Sequence, residues 1–270
     1  MVNVLIAAAL AAASPQATLP APPPIAADAQ PALFAVRDAD TIVYIFGTFH
    51  ALDGQSDWFK DQVRGAFENS GELVLETLVP EGPAPAIAGA QPFRGLPVTP
   101  SASFLASTRM AINAGRSQGM QVNNGADMVL RHVAEAEGKP VEGLETLESQ
   151  LNMFTKLPSA ASAERPRPGQ PVAAASPMDS LSKAMTEMQA AWKRGDQTVF
   201  VRMLGQLNRS SPDTYRMMFT ERNARWADWI AARMQTPGTV FVAVGAGHLA
   251  GQDSVLVRLA ERGIPSARLN

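Results

Sequence analysis

The chain has 270 residues, 46% of them apolar and 18% charged, with a net charge of −2. This suits one large domain, or a domain and a half, with a substantial core, and the lack of a Lys/Arg block argues against a nucleic-acid surface. Cysteine is absent, which excludes a disulfide framework and a cysteine-linked lipid anchor.

The opening residues, MVNVLIAAALAAASPQA, read as a secretory leader: an apolar run from Val4 to Ala13, then small residues suited to cleavage. That run is too short to span a bilayer. Residues 1–17 are therefore expected to be a signal peptide, the protein to be exported to the periplasm, and no stable membrane span to form. Residues 18–32, TLPAPPPIAADAQPA, read as an extended Pro/Ala-rich linker.

A folded domain is expected over 33–270. It opens with a hairpin, Leu33–Val36 and Thr41–Phe46 around the turn RDAD. The second strand is apolar nearly throughout, as in a strand covered on both faces. SDWFKDQVRGAFENSG follows helical spacing, with Ser56 as N-cap, Trp58, Phe59, Val63 and Phe67 as the apolar face, and Gly71 as the stop. ELVLETL (72–78) is a second buried strand. Strand, helix, strand over this short span is a βαβ unit, so the fold class is α/β with a mostly parallel sheet.

The middle of the chain is helical, with SASFLASTRMAINAG and GADMVLRHVAEAEG as amphipathic segments. KPVEGLET is a short strand leading into the helix LESQLNMFTKL. Residues 158–177 are low in complexity and read as a disordered insertion. The helix MDSLSKAMTEMQAAWKRGD, a shorter helical stretch and the long helix SPDTYRMMFTERNARWADWIAARM follow. PGTVFVAVGAGHL then returns to strand, and DSVLVRLAERG closes as a helix.

Two of the three histidines carry the functional signal. TIVYIFGTFHAL and TVFVAVGAGHLAG each place Gly after a buried strand and His three residues later, at His50 and His248. Ligands of open α/β sheets bind at that carboxyl edge, where imidazole serves as metal ligand or general base; a capping or core histidine is the alternative. Glu76 exits its strand at the same edge. One carboxylate and two imidazoles converging there would suit a divalent metal, whereas a helix cap or surface carboxylate would not. Arg222 falls within the apolar stripe of its helix, so it must reach the rim or find a partner. It could hold a substrate carboxylate, stabilise an oxyanion, or make a structural salt bridge. Asn223 is its neighbour, Glu145 follows the short strand, and His132 reads as a surface residue.

In order and spacing, IFGTFHAL, ELVLE, GLETLESQ, ERNARWADWI and VAVGAGHLAGQDSVLVRL resemble the TraB/GumN family. That family includes the Tiki-type proteases and is similar in fold to the erythromycin esterase and ChaN-like proteins. The resemblance implies a metal-dependent, peptidase-like hydrolase acting on a peptide or small-molecule substrate. Its metal (Mn, Co or Zn) would be held by His50, Glu76 and His248, with Arg222, Asn223 and Glu145 completing the catalytic set. Two other readings stay open: a protein that binds peptide, metal or haem without turnover, and a metal-free, esterase-like hydrolase with histidine as general base.

Overall fold

The structure, a computed structural model, describes residues 31–54, 57–78, 102–157 and 177–270. The expected leader, nearly all of the linker, the Ser56 cap and residues 158–176 of the insertion lie outside the described residues. Ala32, assigned above to the linker, already belongs to the domain: it is buried, and its carbonyl accepts the Gly47 N–H at 3.1 Å.

Six strands form one sheet: β1 (Leu33–Arg37), β2 (Thr41–Thr48), β3 (Glu72–Thr77), β4 (Val141–Glu145), β5 (Gly238–Gly245) and β6 (Ala267–Arg268). Their spatial order is β4-β3-β5-β2-β1-β6. The pairs β2–β5, β3–β5 and β3–β4 are parallel, and β1 is antiparallel to both β2 and β6. The fold is therefore α/β with a mostly parallel sheet, as expected. The two-residue edge strand β6 escaped the sequence reading, because it holds no apolar pattern.

Side-chain alternation divides the core into two layers. Leu33, Phe46, Leu73, Leu75, Phe241 and Ala243 pack on one face. They meet helices α1 (Asp61–Glu68), α3 (Ala126–Ala136), α4 (Leu147–Lys156), α5 (Pro177–Lys193) and α6 (Thr198–Ser210). Helix α2 (Ala102–Ser117) packs against α5 on this side. Val36, Val43, Ile45, Val74, Val242 and Val244 line the other face against α8 (Glu221–Arg233) and α9 (Val255–Glu261). Buried β-branched side chains on a sheet covered from both sides account for the continuous apolar strands read from the sequence.

Two local expectations change. Trp58 and Phe59 precede α1 instead of lying within it; the buried Trp58 stacks on Phe46 with ring centroids 5.5 Å apart. The long helix at 211–234 is three pieces: a short turn α7 (Pro212–Tyr215), a π-helical segment Arg216–Thr220, and α8. A π segment often marks a functional site, and this one ends two residues before Arg222.

The strand order is what builds the site. After β2 the chain passes through α1 and places β3 two positions away, and the last long strand, β5, fills the gap between them. The carboxyl ends of β2, β5, β3 and β4 thus lie side by side, each carrying one expected site residue or preceding it by two or three positions: His50, His248, Glu76 and Glu145.

Candidate functional site

The two Gly-x-x-His turns touch. In the β2–β5 register Thr48 faces Gly245, and a Cβ built on Gly47 would lie 3.3 Å from the Ala246 Cα. Gly47 permits this contact because it carries no side chain. A Cβ built on Gly245 would lie 3.2 Å from His50 Nε2 and 3.7 Å from His248 Cδ2. The two histidines therefore share one small region.

His248 sits on the 3₁₀ turn Ala246–Leu249 and is fully buried. Its Nδ1 is 2.6 Å from Asn223 Oδ1, and the Asn223 Nδ2 donates to the Asp253 carbonyl at 2.7 Å. The Asn223 amide is thereby oriented with its oxygen toward the imidazole, so the imidazole hydrogen is on Nδ1. The Nε2 lone pair then accepts from Arg222 Nη1 at 3.2 Å. Phe219 and Trp226 flank the ring, with centroids 4.8 and 4.4 Å away. Burial first, then the neighbouring guanidinium, outweighs the pull of Glu76 and holds His248 down to about 3.

Arg222 occupies the centre. Its Nη2 donates to Glu76 Oε2 at 2.9 Å, its Nε to Glu145 Oε2 at 3.0 Å, and its Nη1 also reaches the Met218 carbonyl at 3.4 Å. The guanidinium carbon lies 4.5 Å from the Trp226 ring centroid, a favourable cation–π placement. The side chain is 0% exposed. Of the alternatives for an arginine in an apolar stripe, it takes the internal partner. Glu145 is itself capped from outside by the exposed Arg225 at 2.9 Å.

Glu76 accepts from Arg222 on one oxygen and from the Gly245 N–H on the other, the latter at 2.6 Å. Burial alone would raise its carboxyl. Arg222 leads the nearby charges and donors that reverse this and bring it down to about 2. At neutral pH it is a fixed anion.

His50 differs. Its Nδ1 is 3.2 Å from Asp127 Oδ1, and a carboxylate can only accept, so the neutral ring carries its hydrogen there. The Nε2 is buried and has no hydrogen-bond partner among the described residues. Burial pushes the imidazole down, but the Asp127 charge and hydrogen bond, helped by Glu76, raise it on balance above its ordinary value.

His50, Glu76, Glu145, Arg222, Asn223 and His248 therefore form one cluster, while His132 is exposed elsewhere on α3. Asp127, 5% exposed at the start of α3, was missed. In sequence it is indistinguishable from an ordinary acid favoured in the first turn of a helix. Asp253 was also missed. It receives Tyr215 Oη at 2.9 Å and the Arg258 guanidinium, and it fixes the loop that orients Asn223.

Does the cluster fit the metal implied by the resemblance? Among the described residues no group of three or more His, Asp or Glu side chains is arranged to hold one. The physical reason is visible in the donors. The lone pairs of His248 Nε2 and Glu76 Oε2 face the Arg222 guanidinium, and His248 Nε2 lies 3.8 Å from Glu76 Oε1. A fixed cation already bridges the two side chains that a divalent ion would share with His50. In this arrangement the donor set does not fit a metal.

The TraB/PrgY/gumN family model matches residues 32–92 and 88–268. No curated protein and no solved structure shows significant similarity to the chain. No helix among the described residues is long and apolar enough to cross a membrane. The paired Gly-x-x-His turns thus sit within a match that covers nearly all of the described residues, and the chain belongs to the TraB/PrgY/gumN family.

Proposed function

We propose that the protein is a hydrolase of carbonyl-type bonds, ester or peptide, in which His50 is the general base. The observation that carries this reading is the buried, unpartnered Nε2 of His50, set by the Nδ1–Asp127 contact on the ring's other side.

Glu145 is held by both Arg222 and Arg225; among Glu76, His248 and His50, proton affinity decides which is the base. Glu76 at about 2 and His248 at about 3 are too weak to take a proton efficiently near neutral pH, because the best general base titrates close to the working pH. His50 lies above the ordinary imidazole value and keeps its reactive lone pair. In the step, His50 Nε2 removes a proton from water as the water oxygen bonds to the substrate carbonyl carbon. The tetrahedral intermediate then expels the alcohol or amine, which takes the proton back from Nε2. Asp127 holds the ring through Nδ1; Glu76, anchored by Arg222, supplies a fixed negative charge that favours the imidazolium. Arg222 acts through Glu76 and His248 and is a positioning residue.

Comparing wild type with a folded His50→Gln variant on p-nitrophenyl esters and a fluorescence-quenched peptide library tests the proposal. Turnover present in the first and lost in the second supports it. Turnover unchanged by the substitution overturns the role of His50, and no turnover in wild type favours a binding protein.

A further inference from the structure

Three buried polar atoms at the carboxyl edge of the sheet have no hydrogen-bond partner among the described residues: Thr48 Oγ1, Thr77 Oγ1 and His50 Nε2. They are related by the sheet. Thr48 ends β2, Thr77 ends β3, and Gly245 ends β5 between them. Thr48 pairs with Gly245, and the register Leu75 to Ala243 carries Thr77 to the same level. Phe46, Ala243 and Leu75, two residues earlier in each strand, all belong to one core layer. Alternation therefore puts Thr48, Gly245 and Thr77 in a row on one face. Neighbouring strands are about 4.8 Å apart, so each threonine is one strand spacing from Gly245.

Gly245 has φ −54° and ψ 137°, a conformation open to any residue. Backbone geometry does not require glycine here; what favours it is the room it leaves. A Cβ at this position would lie 3.1 Å from Glu76 Oε1 and 3.2 Å from His50 Nε2, tight enough that both side chains would have to give way by a few tenths of an ångström.

We propose that this row is a seat for one buried water molecule, held by His50 Nε2 and Glu76 Oε1 and bounded by the Thr48 and Thr77 hydroxyls. The inventory of donors and acceptors favours water. Both His50 Nε2 and Glu76 Oε1 accept, so they take the two water hydrogens. The two hydroxyls can donate to its two lone pairs. A buried water commonly makes two to four such bonds. As the water consumed in catalysis, it rests on the hydrolytic reading above; as a binding site, it does not. Thr48, Thr77 and Gly245 then join the site as residues that position the nucleophile.

The test is a set of high-resolution crystal structures of wild type, Gly245→Ala and Thr48→Val/Thr77→Val, with kcat and KM measured on any substrate found. Wild type is expected to show one water within hydrogen-bond distance of His50 Nε2 and Glu76 Oε1. Folded Gly245→Ala is expected to exclude it and to lose kcat by about 100-fold, at the low end for a general-base step, with KM little changed. If Gly245→Ala does not fold, the double valine variant decides, and it too must lose the water. Water persisting in both variants overturns the seat. So does a metal ion at about 2.0–2.2 Å from the same two atoms, or a rotated His50 bonded elsewhere. Water present in wild type and displaced in the variants supports the seat even without turnover, and absence of turnover then overturns the hydrolytic reading alone.

Discussion

Arg222 Nη2 lies 2.9 Å from Glu76 Oε2, with the two side chains 0% and 3% exposed. A bare charge at that depth would be very costly, and each of these residues makes the other tolerable. The pair also decides the chemistry nearby: it fixes Glu76 as an anion, occupies the His248 lone pair, and leaves His50 as the cluster's one imidazole able to take a proton near neutral pH.

The two ends of this pair should respond unequally to mutation. Arg222→Met leaves His248 Nε2 without its donor and Glu76 with only the Gly245 N–H, and removing one partner of a buried pair costs about 3–5 kcal/mol. Glu76→Gln leaves the guanidinium still bound to Glu145 at 3.0 Å, so its cost should be nearer the roughly 1–3 kcal/mol of a lost buried hydrogen bond. Urea denaturation of the two variants checks the order. Equal losses would mean that Glu145 contributes nothing to holding Arg222.

Acid should destabilise the domain in a defined window. The unfolded His248 takes up a proton below its ordinary 6.5, while the folded one resists protonation down to about 3. The unfolded chain therefore binds more protons there, and stability falls with pH across that range. Glu76 acts in the same direction below its ordinary 4.5, its contribution being lost as pH falls toward about 2. His50 acts oppositely: its raised value gives stability present below 6.5 and lost as pH rises through the folded value. From these three groups, Tm should be greatest near pH 6.5. His248→Gln should flatten the slope between pH 4.5 and 6.5, where Glu76 is ionised in both states.

The pH dependence of turnover isolates His50. Because its imidazole titrates above the ordinary value, kcat/KM should rise with pH on an acid limb centred above 6.5. Asp127→Asn removes the carboxylate most responsible for that rise. The limb should then move to lower pH, and the rate should fall by about 10- to 100-fold as the ring loses its fixed tautomer, consistent with general-base contributions of 10²–10⁴. An unmoved limb in a less active Asp127→Asn protein would assign Asp127 a structural role only.

Asn223 makes a prediction that needs no substrate. With three histidines in the chain, imidazole NMR signals are few enough to follow individually. Asn223→Asp would place a carboxylate against His248 Nδ1, in the position of an amide oxygen now 2.6 Å away. The His248 value should rise from about 3 toward the ordinary range, because an adjacent opposite charge favours the imidazolium. No change would show that Asn223 does not govern this ring.

Much of this site was legible in the sequence because it is written on strand ends. The runs before Gly47 and Gly245 are apolar enough to read as covered strands, and a His three residues beyond each glycine must fall on the same sheet edge. Glu76 followed from its place at the exit of a buried run. The position of β5 between β2 and β3 was not legible, since strand order depends on contacts between residues nearly two hundred positions apart. Nor was the choice among fates for Arg222, because an apolar stripe shows only that a partner is needed. Asp127 was invisible for a different reason: its local signal, an acid in the first turn of a helix, is equally what a solvent-exposed residue would give.

The most direct measurement is turnover of chelator-dialysed protein, verified metal-free by elemental analysis, on the p-nitrophenyl ester and quenched-peptide panel, before and after addition of Mn²⁺, Co²⁺ or Zn²⁺. If Arg222 is the cation that bridges Glu76 and His248, and His50 the base, the metal-free protein turns over substrate at the rate of the untreated one, and added metal does not increase it. Activity abolished by the chelator and restored by one of the three ions would contradict the account.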